Sequence, residues 1–365
     1  MTMARIFSIS AAALAAGVAL TFAVSSGTVL SLLTQATIYA IFASGVGLLL
    51  RQNGMASFGH ATFFGAAGYL IGILLQLKAV PAEAAIALAV LGITAFAFLL
   101  GLVIVRVPGI AFGMLTLAVG QMFFLTANRS RGLTGGADGM NIDWPSTLFG
   151  VPVSSIVEPG HMFLLCWVML VLCLGALALG LHGRFGAITE AVRDNEERAR
   201  FIGIRTLLPR AALFALSAGI TSIAGTLTAL NTGFVSPESL HWSVSGVALM
   251  MVIVGGYKAL WGPALGAIVY FLAKDILGDY ASHWMAVFGI ALITVIVFSP
   301  TGLAGALGSL VKGKANPRAA AAARAAASAS AHTAHAAHDA HTTPAALASH
   351  SAQSAPSAPA ARPAH

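Results

Sequence analysis

The sequence predicts an all-α, polytopic integral membrane protein of about ten transmembrane helices with a disordered C-terminal tail. Three observations carry that prediction. Of 365 residues, 58% are hydrophobic and only 8% are charged, whereas soluble domains are roughly half apolar and about a quarter charged. The apolar residues fall into runs of about 20, the length that crosses a bilayer. From about Ala315 the large apolar residues vanish, so that segment has nothing with which to build a core. The net charge of +7 sits mostly at the ends of apolar runs and in one loop. It fits a lipid bilayer as neighbour and gives no indication of nucleic acid.

Taken in order, Met1–Ser26 reads as a retained first helix over roughly 6–25, with a cleaved signal peptide as the alternative. The second span is about 29–50, closed by Arg51-Gln-Asn-Gly. The third is about 56–76, opened by Ser57-Phe-Gly-His60 and ended before Pro81. The fourth is about 83–105 and the fifth about 109–127. A polar, glycine-rich loop over 128–160 comes next, then a sixth span at about 161–181. A charged loop leads to the seventh, about 209–230. Spans eight and nine, about 243–257 and 260–277, flank a tight Gly255-Gly-Tyr-Lys-Ala-Leu-Trp-Gly-Pro263 turn. Gly262 and Gly266 form a small-xxx-small step for close helix packing. The tenth span, about 283–299, ends at Ser299-Pro-Thr-Gly302. Cys166 and Cys173 share one helix face, too far apart to bridge, and read as packing residues.

Basic residues set the orientation. With a cytoplasmic N-terminus, the inside holds Arg5, Arg51, Arg106, the loop arginines, Lys258, Lys312, Lys314 and Arg318. The outside holds Lys78, Arg129 and Arg131. Both termini are therefore expected in the cytoplasm, with the charged loop inside and the glycine-rich loop outside. The tail over 315–365 carries six of the eleven histidines. It reads as low-complexity sequence, with a weak metal tract as the alternative.

The charged loop is the densest polar stretch in the chain. Arg184 to Arg210 holds six arginines, one aspartate and three glutamates. Ile188, Ala191 and Val192 share one helical face. Asp194 is placed to cap a second short helix, with Glu197 reaching back as in a capping box. Ala199 and Ile202 then share a face, and Gly203 ends the helix. The spacing predicts two surface helices broken at Asp194-Asn195. They form either a docking element or a solvated loop obeying the positive-inside rule. In the outer loop, Thr134-Gly-Gly-Ala-Asp-Gly139 is a turn in which Gly135 and Gly136 supply positive φ or close approach. His60, at a span start, lines a pathway or is hydrogen-bonded inside the bundle.

Several chemistries lack their residues. Gly308-Ser-Leu-Val-Lys-Gly-Lys-Ala315 has alanine where a P-loop needs Ser or Thr for magnesium. Mid-membrane ionisable groups, which mark proton relays, are missing, as are metal-ligand clusters and nucleophile–base pairs. The chain therefore reads as a non-enzyme with no cofactor of its own, whose work a partner supplies. The rival is a stand-alone secondary transporter or channel.

Four blocks carry a resemblance. They are Asn53-Gly-Met-Ala-Ser-Phe-Gly-His-Ala-Thr-Phe-Phe-Gly65, Leu133-Thr-Gly-Gly-Ala-Asp-Gly139, Glu190-Ala-Val-Arg-Asp-Asn-Glu-Glu-Arg-Ala-Arg-Phe-Ile-Gly203 and Val254-Gly-Gly-Tyr-Lys-Ala-Leu-Trp-Gly-Pro-Ala-Leu-Gly266. In this order they resemble the LivM-type permeases of branched-chain amino-acid ABC importers, which have urea and amide relatives. The pattern departs at Gly255-Gly-Tyr-Lys, where the family usually has a further glycine. The resemblance implies a permease domain over 1–314 in the bacterial inner membrane. It also implies a LivH-like second permease, two cytoplasmic ATPases that bind the ATP, and a periplasmic substrate-binding protein. By resemblance, the ATPase-coupling loop comprises Glu190, Ala191, Arg193, Asp194, Asn195, Glu197, Ala199, Ile202 and Gly203. His60, Thr134, Gly135, Gly136, Asp138 and Gly139 are expected along the substrate path or against the binding protein.

Overall fold

The computed structural model describes residues 3–24, 26–78, 80–107, 109–280, 289–290, 293 and 301–311. The long helices are α1 (Met3–Ala23), α2 (Gly27–Asn53), α3 (His60–Gln76), α4 (Ala82–Ile104) and α5 (Ile110–Arg129). After the outer loop come α8 (Pro159–His182), α11 (Leu207–Thr232), α12 (Trp242–Gly255) and α13 (Gly262–Tyr280). Short helices α6 (Arg131–Thr134) and α7 (Val153–Ile156) lie in the outer loop, and α9 (Arg184–Asp194) and α10 (Glu196–Phe201) in the charged one. Two minimal antiparallel ladders complete this part: β1 (Met140–Asn141) with β4 (Phe234–Val235), and β2 (Thr147–Leu148) with β3 (Val151–Pro152). Among the described residues, six helices are long and apolar enough to cross a membrane: those at 6–23, 27–53, 82–104, 110–129, 159–182 and 207–232. The expected tenth span and the tail after 315 lie outside the described residues, apart from 289–290 and 293. The chain divides into two compact units, 1–307 and 308–365. The helical bundle is the first of these.

Helices α2 and α11 form the centre, with α3, α4 and α9 packed on α11 and α8, α12 and α13 on α2. Most of their hydroxyls are compatible with an apolar interior because they bond within their own helix. Thr34, Thr37 and Ser44 donate to the carbonyls of Leu30, Leu33 and Ala40. Thr221 and Thr226 of α11 do the same to Ser217 and Ser222. Such bonding leaves no polar group for lipid or core to desolvate. Close approach of α3 to α11 depends on Gly225, where an added Cβ would run into the Phe64 carbonyl.

The third helix starts later than its sequence pattern predicts. Residues 54–59 are not helical, and α3 begins at His60. At 17 residues it is about 25 Å long, short of a full crossing. The missing part is a non-helical entry that reaches into the bundle. His60 is fully buried, and its Nε2 lies 2.7 Å from Ser217 Oγ. Ser217 in turn donates to the Gly45 carbonyl at 2.7 Å. Gly45 stands eight residues before the end of α2, or about 12 Å along its axis.

Proton counting fixes this knot. Ser217 has one proton and gives it to Gly45, so Nε2–H of His60 donates to Ser217 Oγ. Nδ1 is then the acceptor, and the Ser57 hydroxyl, 2.7 Å away, donates to it. Two free amides, one in the non-helical segment and one in the first turn of α3, are met by side chains from other helices. Phe58 N–H donates to Thr116 Oγ1 at 3.2 Å, and Ala61 N–H to Ser245 Oγ at 2.8 Å. His60 was expected on the substrate path or against the binding protein. Here it is instead an internal tie joining α3 to α11, because both its nitrogens are taken by buried serines.

Replacing His60 with alanine strands Ser57 and opens a cavity. An unsatisfied buried polar group costs about 1–3 kcal/mol. We expect His60→Ala to lower the thermal unfolding midpoint of the detergent-solubilised protein by several degrees. An unchanged midpoint would show that the knot contributes nothing to folding.

Candidate functional site

At one end of the bundle, α9 and α10 form a rigid bracket across the ends of α2 and α11. The buried face of α9 is Gly186, Thr189 and Val192, at i, i+3 and i+6. Thr189 is 3.1 Å from Gln52 Oε1 and 2.9 Å from the Gly186 carbonyl. Arg193 donates to the Arg51 carbonyl at 2.6 Å, while its other nitrogens hold Asp194 at 2.8 Å and Glu190 at 3.5 Å. So α9 is fastened to the last turn of α2.

The second fastening centres on Glu196. Its Oε1 accepts from Arg200 at 2.6 Å and from Thr206 at 2.9 Å. Its Oε2 accepts from Arg210, in the first turn of α11, at 2.6 Å. Partial burial alone would raise the Glu196 carboxyl, but the Thr206 hydroxyl, Arg210 and Arg200 outweigh it and hold the pKa below the ordinary 4.5. Glu196, Thr206 and Arg210 were absent from the sequence-derived set. The loop's charge density pointed to them, but only the fold brings 196 and 210 together.

Three expectations for this loop change. Asn195, rather than Asp194, caps α10: its φ of −158° and ψ of 103° are extended, and its side chain accepts from Arg198 N–H at 2.9 Å. Asp194 is still helical and its carboxylate is taken by Arg193. The capping box from Glu197 is replaced by that Asn195 bond. Ala199 and Ile202 do not share a face, because α10 ends at Phe201 and the chain turns at Ile202. Ala199 is 3% exposed and Ile202 72%. Ala191 is exposed while Val192 is buried within the chain itself. The stop at Gly203 is as expected. With φ +85°, it lets Gly203 N–H reach Arg200 O at 2.9 Å and Ile204 N–H reach Ala199 O at 3.0 Å, a Schellman motif.

The outward side of this bracket is an apolar pair. Phe201 is 90% exposed beside Ile202, with Glu197, Arg198 and Arg205 exposed around them. Phe201 and Ile202 are both carried by the segment that Glu196 fastens to α11.

The opposite end of α11 carries the glycine-rich loop. There β1 pairs with β4, Met140 opposite Val235. Gly135, Gly136 and Gly139 all have positive φ, which the sequence anticipated for the first two. A Cβ on Gly135 would run into the Gly139 carbonyl. Thr134 is turned inward, donating to Ala127 and Ser130 carbonyls, so it supports the turn and is not on its surface. Asp138 is exposed.

A cleft of about 180 Å³ opens between α3 and α11 near this end, walled by Gly65, Gly68, Gly225, Thr228, Thr232 and Ser239 among others. A larger one of about 540 Å³ lies between α4, α8 and α11. Its lining, Ile86, Val90, Leu165, Met169, Leu227 and Leu230 among others, suits an acyl chain better than a polar solute.

Because the Glu196 carboxyl is held below its ordinary value in the folded state, its stabilising contribution is complete above about pH 4.5 and fades as pH falls through the lowered value. Glu196→Gln should therefore be less stable than wild type at neutral pH, with the gap closing in acid. Thermal unfolding from pH 7 down to pH 3 reads this directly; a gap independent of pH would remove the ionic role.

Comparison with known proteins bears on what this geometry serves. Residues 28–297 match the family described as branched-chain amino acid transport system / permease component. The chain is 27% identical over 312 residues to the high-affinity branched-chain amino acid transport system permease protein LivM of Escherichia coli, covering 80% of this chain and 73% of that protein. It is 28% identical over 277 residues to the autoinducer 2 import system permease protein LsrC of Salmonella typhimurium, covering 73% and 76%. A probable LivM of Methanocaldococcus jannaschii is 26% identical over 140 residues, 34% of this chain and 40% of that one. No solved structure matches the chain. A helical membrane bundle with an anchored surface bracket, matched over residues 28–297, is a LivM-type permease: the chain belongs to the branched-chain amino-acid transport permease family.

Proposed function

We propose that this chain is one of two permease subunits of an ATP-driven importer in the bacterial inner membrane, carrying branched-chain amino acids or related small polar solutes. Its partners are a LivH-like second permease, two cytoplasmic ATPases that bind the ATP, and a periplasmic binding protein. The chain itself carries out no catalysis and holds no cofactor. Both termini and α9–α10 face the cytoplasm, and the Thr134–Gly139 turn, with Asp138 exposed, faces the binding protein.

The observation that supports this best is the α9–α10 bracket. A partner that closes on ATP must move helices through something stiff. Here the contact pair Phe201 and Ile202 rides on a helix pinned by Glu196 to Arg210 of α11 and, through α9, to Gln52 of α2. A push on Phe201 therefore reaches both central helices. The exposed charges, Glu197 and Arg198, steer the encounter. Exposed pairs contribute only about 0–1 kcal/mol, whereas burying a phenylalanine or isoleucine contributes about 1.5–3 kcal/mol each.

In the reconstituted complex, the double change Phe201→Asp and Ile202→Asp should abolish substrate-stimulated ATP hydrolysis and reduce uptake on the order of a hundredfold, while the permease still reaches the membrane. Glu197→Ala should stay within about threefold of wild type. Ala199→Asp is a test of folding, since Ala199 is buried inside the permease. Wild-type coupling in the double variant would mean this bracket does not dock the ATPase. Uptake into ATP-free vesicles driven by an ion gradient would favour a stand-alone secondary transporter instead.

A further inference from the structure

The cleft between α3 and α11 is small, about 180 Å³, below the roughly 300–1,000 Å³ of drug-sized sites. Among the described residues no charged side chain lines it. Its polar wall is made of the hydroxyls of Thr228, Thr232, Ser236 and Ser239, and the protons of three are already spent. Thr228 donates to the Ala224 carbonyl at 3.0 Å and Ser239 to the Ser236 carbonyl at 2.7 Å. Thr232 has its one proton between the Thr228 and Phe234 carbonyls, each at 2.9 Å. A hydroxyl whose proton is committed offers only lone pairs. These three oxygens therefore accept hydrogen bonds and do not donate.

One further feature has the same sign. Thr228 and Thr232 lie in the last turns of α11, the end of a helix that carries partial negative charge. Gly65 and Gly68 leave the facing wall of α3 without side chains, which lets Ser239 and Val235 come close to that helix. Phe64 and Val235 supply an apolar flank.

We propose that this cleft is a solute site of the permease that takes the ammonium group of an α-amino acid, with Thr228, Thr232 and Ser239 accepting from it and Phe64 and Val235 flanking an aliphatic side chain. This rests on the transport reading. It assigns to the permease a selectivity step for donor-bearing, positively charged head groups, separate from selection by any binding protein.

The sign of the charge is the test. Thr232 is exposed, so it tolerates charge without loss of fold. In the reconstituted importer, with labelled L-leucine, Thr232→Lys should lower uptake on the order of tenfold or more through like-charge repulsion. Thr232→Asp should stay within about twofold of wild type or exceed it. Thr232→Met, with lysine's bulk and no charge, should fall between them. Thr228→Val, which removes lone pairs at nearly constant volume, should lower uptake roughly tenfold at an unchanged level of the permease in the membrane. Equal effects of Lys and Asp, or the reverse order, would overturn the site while leaving the transport reading intact. A wild-type complex that takes up no amino acid would overturn both.

Discussion

A non-helical backbone inside an apolar bundle must find a partner for every amide, and the bundle is arranged around one such segment. After the Gly54 cap of α2, residues 55–59 enter the bundle outside any helix. In hydrocarbon each unmatched group would cost several kcal/mol. Within this segment Phe58 N–H finds Thr116 of α5, and the first residues of α3 that follow are held by Ser217 of α11 on the His60 ring and by Ser245 of α12 on Ala61 N–H. These three side-chain bonds at the entry to α3 tie it to α5, α11 and α12, since lipid competes with apolar contact but not with buried hydrogen bonds.

Helix α11 links the parts that matter for function. Arg210 receives the bracket, Ser217 holds His60, and Thr228 lines the cleft. Eighteen residues separate Arg210 from Thr228, about 27 Å along one rigid element. A displacement at the α9–α10 end is carried along α11 past the knot to the cleft. The knot also ties in α2 through Gly45, so the two central helices move as a pair. In the proposed importer, that geometry converts closure of a soluble partner into a change at a solute site.

Much of this was legible from the sequence. Runs of about 20 apolar residues located the six helices among the described residues that are long enough to cross, because a bilayer imposes that length on any helix crossing it. The start of α10 after a break near 194–195 and its end at Gly203 followed from local rules, since capping and positive φ depend on neighbours in the chain. The positive φ at Gly135 and Gly136 followed likewise. The order of the four motif blocks was enough for the family.

What only the tertiary structure decided was the direction in which surfaces face. Helical periodicity shows which residues share a face, but not whether that face meets the chain itself or a partner. Hence Val192 and Ala199 turned inward and Phe201 and Ile202 outward. Asn195 took the cap from Asp194 because Arg193 claimed the aspartate. Glu196 met Arg210, fourteen residues on, and His60 met Ser217, 157 residues away. No local pattern encodes such pairings. They arise where packing brings a donor and an acceptor together out of water, where leaving either unmet is costly.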